Sequence, residues 1–198
     1  MTVPDTAPTS LGQIVVLNGV PRSGKSSIAR EVQDTFDGPW INLGVDVARQ
    51  TTPPRLQPGI GLRPGEPDNP VAPLLPVLYA ALYESIASHS RLGLNVVVDV
   101  GHHDREILSD CARRLTGLPA LLVGVRCSLD MILERRLASG MTTAAEPVRR
   151  WQEAVHDPGL YDLEVDTSKL SPRQCAAAIR ERLDDGRPAA AFDRLAGS

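Results

Sequence analysis

The octapeptide Gly19-Val20-Pro21-Arg22-Ser23-Gly24-Lys25-Ser26 constrains this chain more than any other feature. It satisfies the Walker A pattern, and it lies between the apolar, β-branched run Ile14 to Leu17 and a helical stretch that begins near Lys25. A strand feeding a helix through a glycine loop turns backbone N–H groups, and the positive end of the helix dipole, toward one point. Gly19, Arg22, Ser23, Gly24, Lys25, Ser26 and Ser27 are therefore the candidate nucleotide contacts, with Lys25 reaching the β- and γ-phosphates and Ser26 completing a Mg²⁺ site. The cofactors implied are ATP and Mg²⁺.

Further apolar runs repeat the strand-then-helix pattern. Asn95 to Val98 leads to a helical Glu106 to Leu115, and Ala120 to Val125 leads to a helical Leu129 to Ala138. Trp40 to Val45 is a weaker strand, as is Tyr161 to Val165, which precedes a helix from Pro172 to Leu183. Continuous apolar strands alternating with helices predict a parallel sheet covered on both faces. The expected fold is α/β: a three-layer P-loop NTPase whose five-stranded parallel sheet has helices on both sides.

A length of 198 residues with 42% hydrophobic content predicts one domain, taken here as residues 13–183. Residues 1–12 and 184–198 are expected to be flexible tails. Between Thr52 and Pro76 lie eight of the seventeen prolines, which argues against a helix or central strand there. An irregular stretch of that length inside a compact domain predicts a substrate loop, a plain surface connector being the alternative. A lid is expected at about 135–150.

The net charge of -3 disfavours nucleic acid and anionic membrane as partners, since both need a basic surface. Three widely spaced cysteines suggest no disulfide framework, and no apolar run nears the length of a membrane span. A soluble cytoplasmic protein is expected, and a homo-oligomer is compatible with the sequence.

Asp99 follows Val96-Val97-Val98, where an acid could hold Mg²⁺ or orient a substrate, or simply cap the strand end. Asp46, at the end of the second predicted strand, is the candidate base for an acceptor hydroxyl, with a helix N-cap as the alternative. His102 and His103 are adjacent, which is not a chelating spacing, so a loop or substrate contact is expected. Arg126, at the end of the fourth predicted strand, could neutralise phosphate, as could Arg135, Arg136, Arg149 and Arg150, for which a solvated helix face is the alternative.

The chain resembles the chloramphenicol 3-O-phosphotransferases and their P-loop relatives. The resemblance rests on Leu17-Asn18-Gly19 leading into Gly24-Lys25-Ser26-Ser27, Pro39-Trp40 with Gly44-Val45-Asp46, Val123-Gly124-Val125-Arg126-Cys127, and Val155-His156 followed by Tyr161 to Thr167. It implies a nucleoside-monophosphate-kinase-like fold and phosphoryl transfer from ATP to the hydroxyl of a small molecule such as an antibiotic. It also implies Asp46 as catalytic base, Lys25 and Ser26 as phosphate and metal contacts, and phosphate-binding roles for Arg126 and Arg136. The family's Arg-Gly-Asp-Arg lid stretch is replaced here by Leu137-Ala138-Ser139-Gly140-Met141. A kinase of a metabolite, sugar or nucleoside is the alternative within the same chemistry. A regulatory NTPase is a further one, although no Asn-Lys-x-Asp motif supports its guanine-nucleotide form.

Overall fold

The computed structural model describes residues 10–56, 72–141 and 145–197. Five strands, β1 (Ile14–Asn18), β2 (Trp40–Asn42), β3 (Asn95–Val100), β4 (Ala120–Arg126) and β5 (Leu163–Asp166), form one sheet in the order β2-β3-β1-β4-β5. Every pairing is parallel. The helices are α1 (Lys25–Thr35), α2 (Val45–Gln50), α3 (Leu75–Arg91), α4 (Arg105–Leu115), α5 (Leu129–Ala138), α6 (Ala145–Val155), α7 (Pro172–Asp184) and α8 (Ala191–Ala196).

The apolar runs become strands because both of their faces are buried. Ile14 and Val16 pack with α3, α4 and α8, whereas Val15 and Leu17 pack with α1 and α7. All four side chains are fully buried, at about 1.5–3 kcal/mol of burial each. A third cluster of Val20, Cys127, Ile132, Val148, Trp151 and Val155 seats α5 and α6 above the carboxyl edge of the sheet, next to the loop after β1. Chain order reverses beside β1, which makes that edge the natural ligand crevice of an open α/β sheet.

Several boundaries differ from the sequence expectation. The second strand stops at Asn42, whose side-chain Oδ1 accepts from Gly44 N at 2.9 Å and turns the chain into α2. Asp46 therefore sits in the first turn of α2 rather than at a strand end. The fifth strand starts at Leu163, because Asp162 just before it is occupied as an anchor. Its Oδ2 accepts from Leu122 N, and its Oδ1 accepts from Ala190 N and Ala191 N.

That anchor also corrects the expected C-terminal tail. Asp162 holds the start of α8, and Ala191, Phe192 and Leu195 are buried in the core beside α4. At the other end, Gly12 N donates to Ser90 O at 2.8 Å, so the chain is pinned from there onward. Of the expected substrate loop at 52–76, residues 57–71 lie outside the described residues. Its last two residues already belong to α3, where Pro76 occupies the first turn and its missing N–H costs nothing.

Candidate active site

The loop from Gly19 to Ser26 wraps the N-terminus of α1. Gly24, its N-cap, has φ 100° and supplies no side-chain cap, so the first N–H groups of α1 remain available to an anion. Arg22 also has positive φ, at 70°, an uncommon conformation for a residue with a Cβ. Gly19 is required by close approach: a Cβ there would lie 2.6 Å from Val125 O and 2.9 Å from Ser23 Oγ. The buried Ser23 hydroxyl has no hydrogen-bond partner among the described residues. An uncapped helix end, an orphaned hydroxyl and glycine-tight walls fit a bound phosphate chain.

Lys25 is 9% exposed and its Nζ donates to Gly19 O at 2.7 Å and Val20 O at 2.8 Å. Burial lowers the ammonium to about 8, with the charges of Asp99 and Asp46 acting in the opposite direction. Both carboxylates thus lie close enough to Lys25 to influence it, and all three groups share the carboxyl edge of the sheet. Asp46 is exposed, whereas Asp99 is 7% exposed.

Ser26 Oγ donates to Asp99 Oδ2 at 2.6 Å. A hydroxyl and a carboxylate in contact at the phosphate loop are the donor set expected for Mg²⁺, so the residues present fit that ion. Gly44 makes the arrangement possible, because a Cβ on it would lie 1.7 Å from Asp99 Oδ1. No sequence pattern singled out Gly44 for this role; the contact joins residues 55 positions apart.

The arginines distribute differently from the sequence expectation. Arg135 reaches the loop: its Nη1 donates to Arg22 O at 3.0 Å, and its Nη2 lies 3.4 Å from Thr167 O. Arg136 is buried within α5, at 7% exposure. Arg126 ends β4, forms a 2.7 Å ion pair with Glu164 and lies over the Tyr161 ring. Arg149 and Arg150 both pair with Glu146 on their own helix, which keeps them as a solvated face. Thr167, buried beside Arg135, was absent from the sequence candidates. Its advance signals are its place at the end of the Tyr161 to Thr167 block and just beyond the carboxyl end of β5.

His102 makes the loop contact that was one of its two expected roles. Its ring is buried, 2.8 Å from Tyr83 Oη through Nε2 and tilted against Tyr79, and burial lowers its pKa to about 3. It is the buried part of the loop between β3 and α4. Its backbone N–H donates to Asn18 Oδ1 at 2.9 Å. Asn18 Nδ2 in turn donates to Val155 O and Tyr161 Oη, tying the root of the phosphate loop to the end of α6.

A phosphate cradle at the centre of this strand order, with a lysine and a Ser–Asp pair directed at it, defines a phosphotransferase of the P-loop kinase type. The profile of chloramphenicol phosphotransferase-like proteins matches residues 12–184, and the chain belongs to that family. A Mycobacterium tuberculosis protein named provisionally as an O-phosphotransferase is 27% identical over 93% of this chain and 88% of its own length. Among solved structures, the M. tuberculosis APS kinase in complex with AMPPNP and APS superposes with a TM-score of 0.65 at 18% identity, covering 88% of this chain and 99% of the kinase. A gluconokinase from Sinorhizobium meliloti superposes at 0.58 with 23% identity, covering 94% of each chain. At these identities the structural likeness establishes the fold.

Proposed function

We propose that the protein transfers the γ-phosphoryl group of ATP, with Mg²⁺, to the hydroxyl of a small molecule. The observation that carries this reading is the convergence of Lys25, Asp99 and Asp46 at one edge of the sheet, where the charges of both acids bear on the lysine. A hydrolytic switch needs the phosphate loop and the metal acid; a second carboxylate beside them suits an enzyme that must also take a proton from an alcohol.

In this reading the N-terminus of α1 and the loop amides bind the phosphates. Lys25 exchanges its contacts with Gly19 O and Val20 O for β- and γ-phosphate oxygens. Ser26 and Asp99 would hold Mg²⁺, which when bound neutralises charge on the phosphates. Asp46 accepts the acceptor's proton as its oxygen attacks the γ-phosphorus, the bond to the β–γ bridging oxygen breaks, and ADP leaves. Arg135, which touches the loop at Arg22 O, and Arg126 and Arg136, at the end of β4 and on α5, are the guanidinium groups that would support phosphate charge.

The family's name and the relative's O-phosphotransferase name favour a hydroxylated acceptor, with chloramphenicol one compound to try. The gluconokinase fold match favours including sugars and other metabolites. The test is a mass-spectrometric screen of hydroxylated antibiotics, sugars, nucleosides and other alcohols with ATP and Mg²⁺, reading the mass of one added phosphate. Steady release of inorganic phosphate with no phosphorylated product across the screen would favour the regulatory NTPase instead.

A further inference from the structure

Thr167 stands just beyond β5 and is 8% exposed. Its Oγ1 donates to the carbonyl of Ser23 at 2.6 Å, across 144 residues of sequence. The same oxygen lies 3.3 Å from Arg126 O and accepts from Arg135 Nη1 at 3.4 Å. The methyl group faces Gly24, where an added Cβ would lie 3.2 Å from Thr167 Cγ2.

The Ser23 carbonyl and the Gly24 N–H belong to one peptide plane. In a trans peptide the two point in opposite directions. A hydroxyl that holds the carbonyl outward therefore aims the N–H inward, toward the space enclosed by the loop. Gly24, at φ 100°, can follow that orientation where another residue would be strained. Without the hydroxyl the plane is free to rotate, and a buried carbonyl loses its partner.

We propose that Thr167 is a positioning residue of the phosphate loop, setting the Ser23–Gly24 peptide plane so that Gly24 N–H faces the nucleotide phosphates. The proposal rests on the reading of this loop as a nucleotide-phosphate site, and it needs no knowledge of the acceptor.

The experiment is calorimetric titration of the full chain with MgADP, comparing wild type, Thr167→Val and Thr167→Ser, with melting temperature measured alongside. Valine keeps the shape and removes the hydroxyl; serine keeps the hydroxyl and removes the methyl. The expected result is Kd raised about tenfold in T167V and changed less than about twofold in T167S, the loss of one preorganised hydrogen bond. A T167V protein that melts earlier yet binds MgADP like wild type has only lost structure, and the proposal falls. Equal weakening in both variants assigns the effect to the methyl group and overturns it as well. If T167V does not fold, Thr167→Ala replaces it in the same comparison with serine. A wild-type protein that fails to bind MgADP overturns the phosphate-site reading and this proposal with it, whereas binding by wild type and unchanged T167V overturns the proposal alone.

Discussion

The hydroxyl of Ser26 and the carboxylate of Asp99 meet at 2.6 Å where the phosphate loop passes the end of β3. Leu17 is the register partner of Asp99, so the pairing of β1 with β3 brings the acid beside the loop. The turn after β2 closes over the same carboxylate at Gly44.

This geometry makes Gly44 a sensitive position. Gly44→Ala places a methyl on Asp99 Oδ1, so either the acid or the β2–α2 turn must move. The expected outcome is a loss of transferase activity of at least about tenfold and a Mg²⁺ requirement shifted to higher concentration. Asp99→Ala should show the same Mg²⁺ shift without the steric strain. Metal titrations of activity in the two variants check this, and a wild-type Mg²⁺ response in both would refute it.

Lys25 carries a pH signature. Its folded pKa of about 8 lies below the ordinary 10.5, so between those values the unfolded chain holds a proton that the nucleotide-free protein does not. Stability of the nucleotide-free protein should therefore gain from this group as pH rises from about 8 to 10.5. Phosphates favour the ammonium, so nucleotide binding above pH 8 should take up a proton and weaken by up to about tenfold per pH unit. Calorimetry of nucleotide binding at pH 9, in buffers of different ionisation enthalpy, measures that uptake. Lys25→Ala should abolish both the uptake and the transfer.

For Asp46 the informative change is to asparagine, which keeps size and removes the proton acceptor. Turnover should fall by about a hundredfold or more, while nucleotide affinity changes by less than about threefold. The alternative role, an acid complementing the first turn of α2, predicts a small loss of stability and full turnover. Steady-state kinetics with a hydroxylated acceptor found in the screen, paired with a melting curve, separates the two.

One buried histidine and one half-buried histidine predict an acid response. His102 is lowered to about 3 by burial and by neighbouring His103, against the pull of Asp104; His156 is lowered to about 4 by burial and Arg126, against Glu164. Below about 6.5 the unfolded chain binds protons at these positions and the folded protein does not, so stability should fall as pH drops from 6.5 toward 4. Denaturant titrations across that range check it. His102→Gln, which retains a partner for Tyr83, should flatten the slope.

Much of the sheet was readable before any coordinates. The runs at Ile14, Asn95 and Ala120 are apolar on both alternating faces, a pattern that only a strand covered on two sides accommodates, and the helix from Leu129 to Ala138 has the bounds its periodicity predicts. The weaker strands were misjudged by two or three residues. In each case a side chain outside the periodic pattern set the limit: Asn42 for β2 and Asp162 for β5. The helix α8 was hidden because its few apolar residues mean nothing until Asp162 and the α4 surface are beside them.

What the sequence determined by itself was local: a glycine loop that must open onto a helix end, a lysine one residue past the last glycine, and strands that must lie buried. What only the tertiary structure decided was which distant groups meet there. Arg135 reaches the loop because of how α5 packs beside it, Gly44 yields space to Asp99, and Thr167 holds Ser23. Such contacts depend on strand register and helix rotation, which arise from packing the whole core rather than from any short stretch of chain.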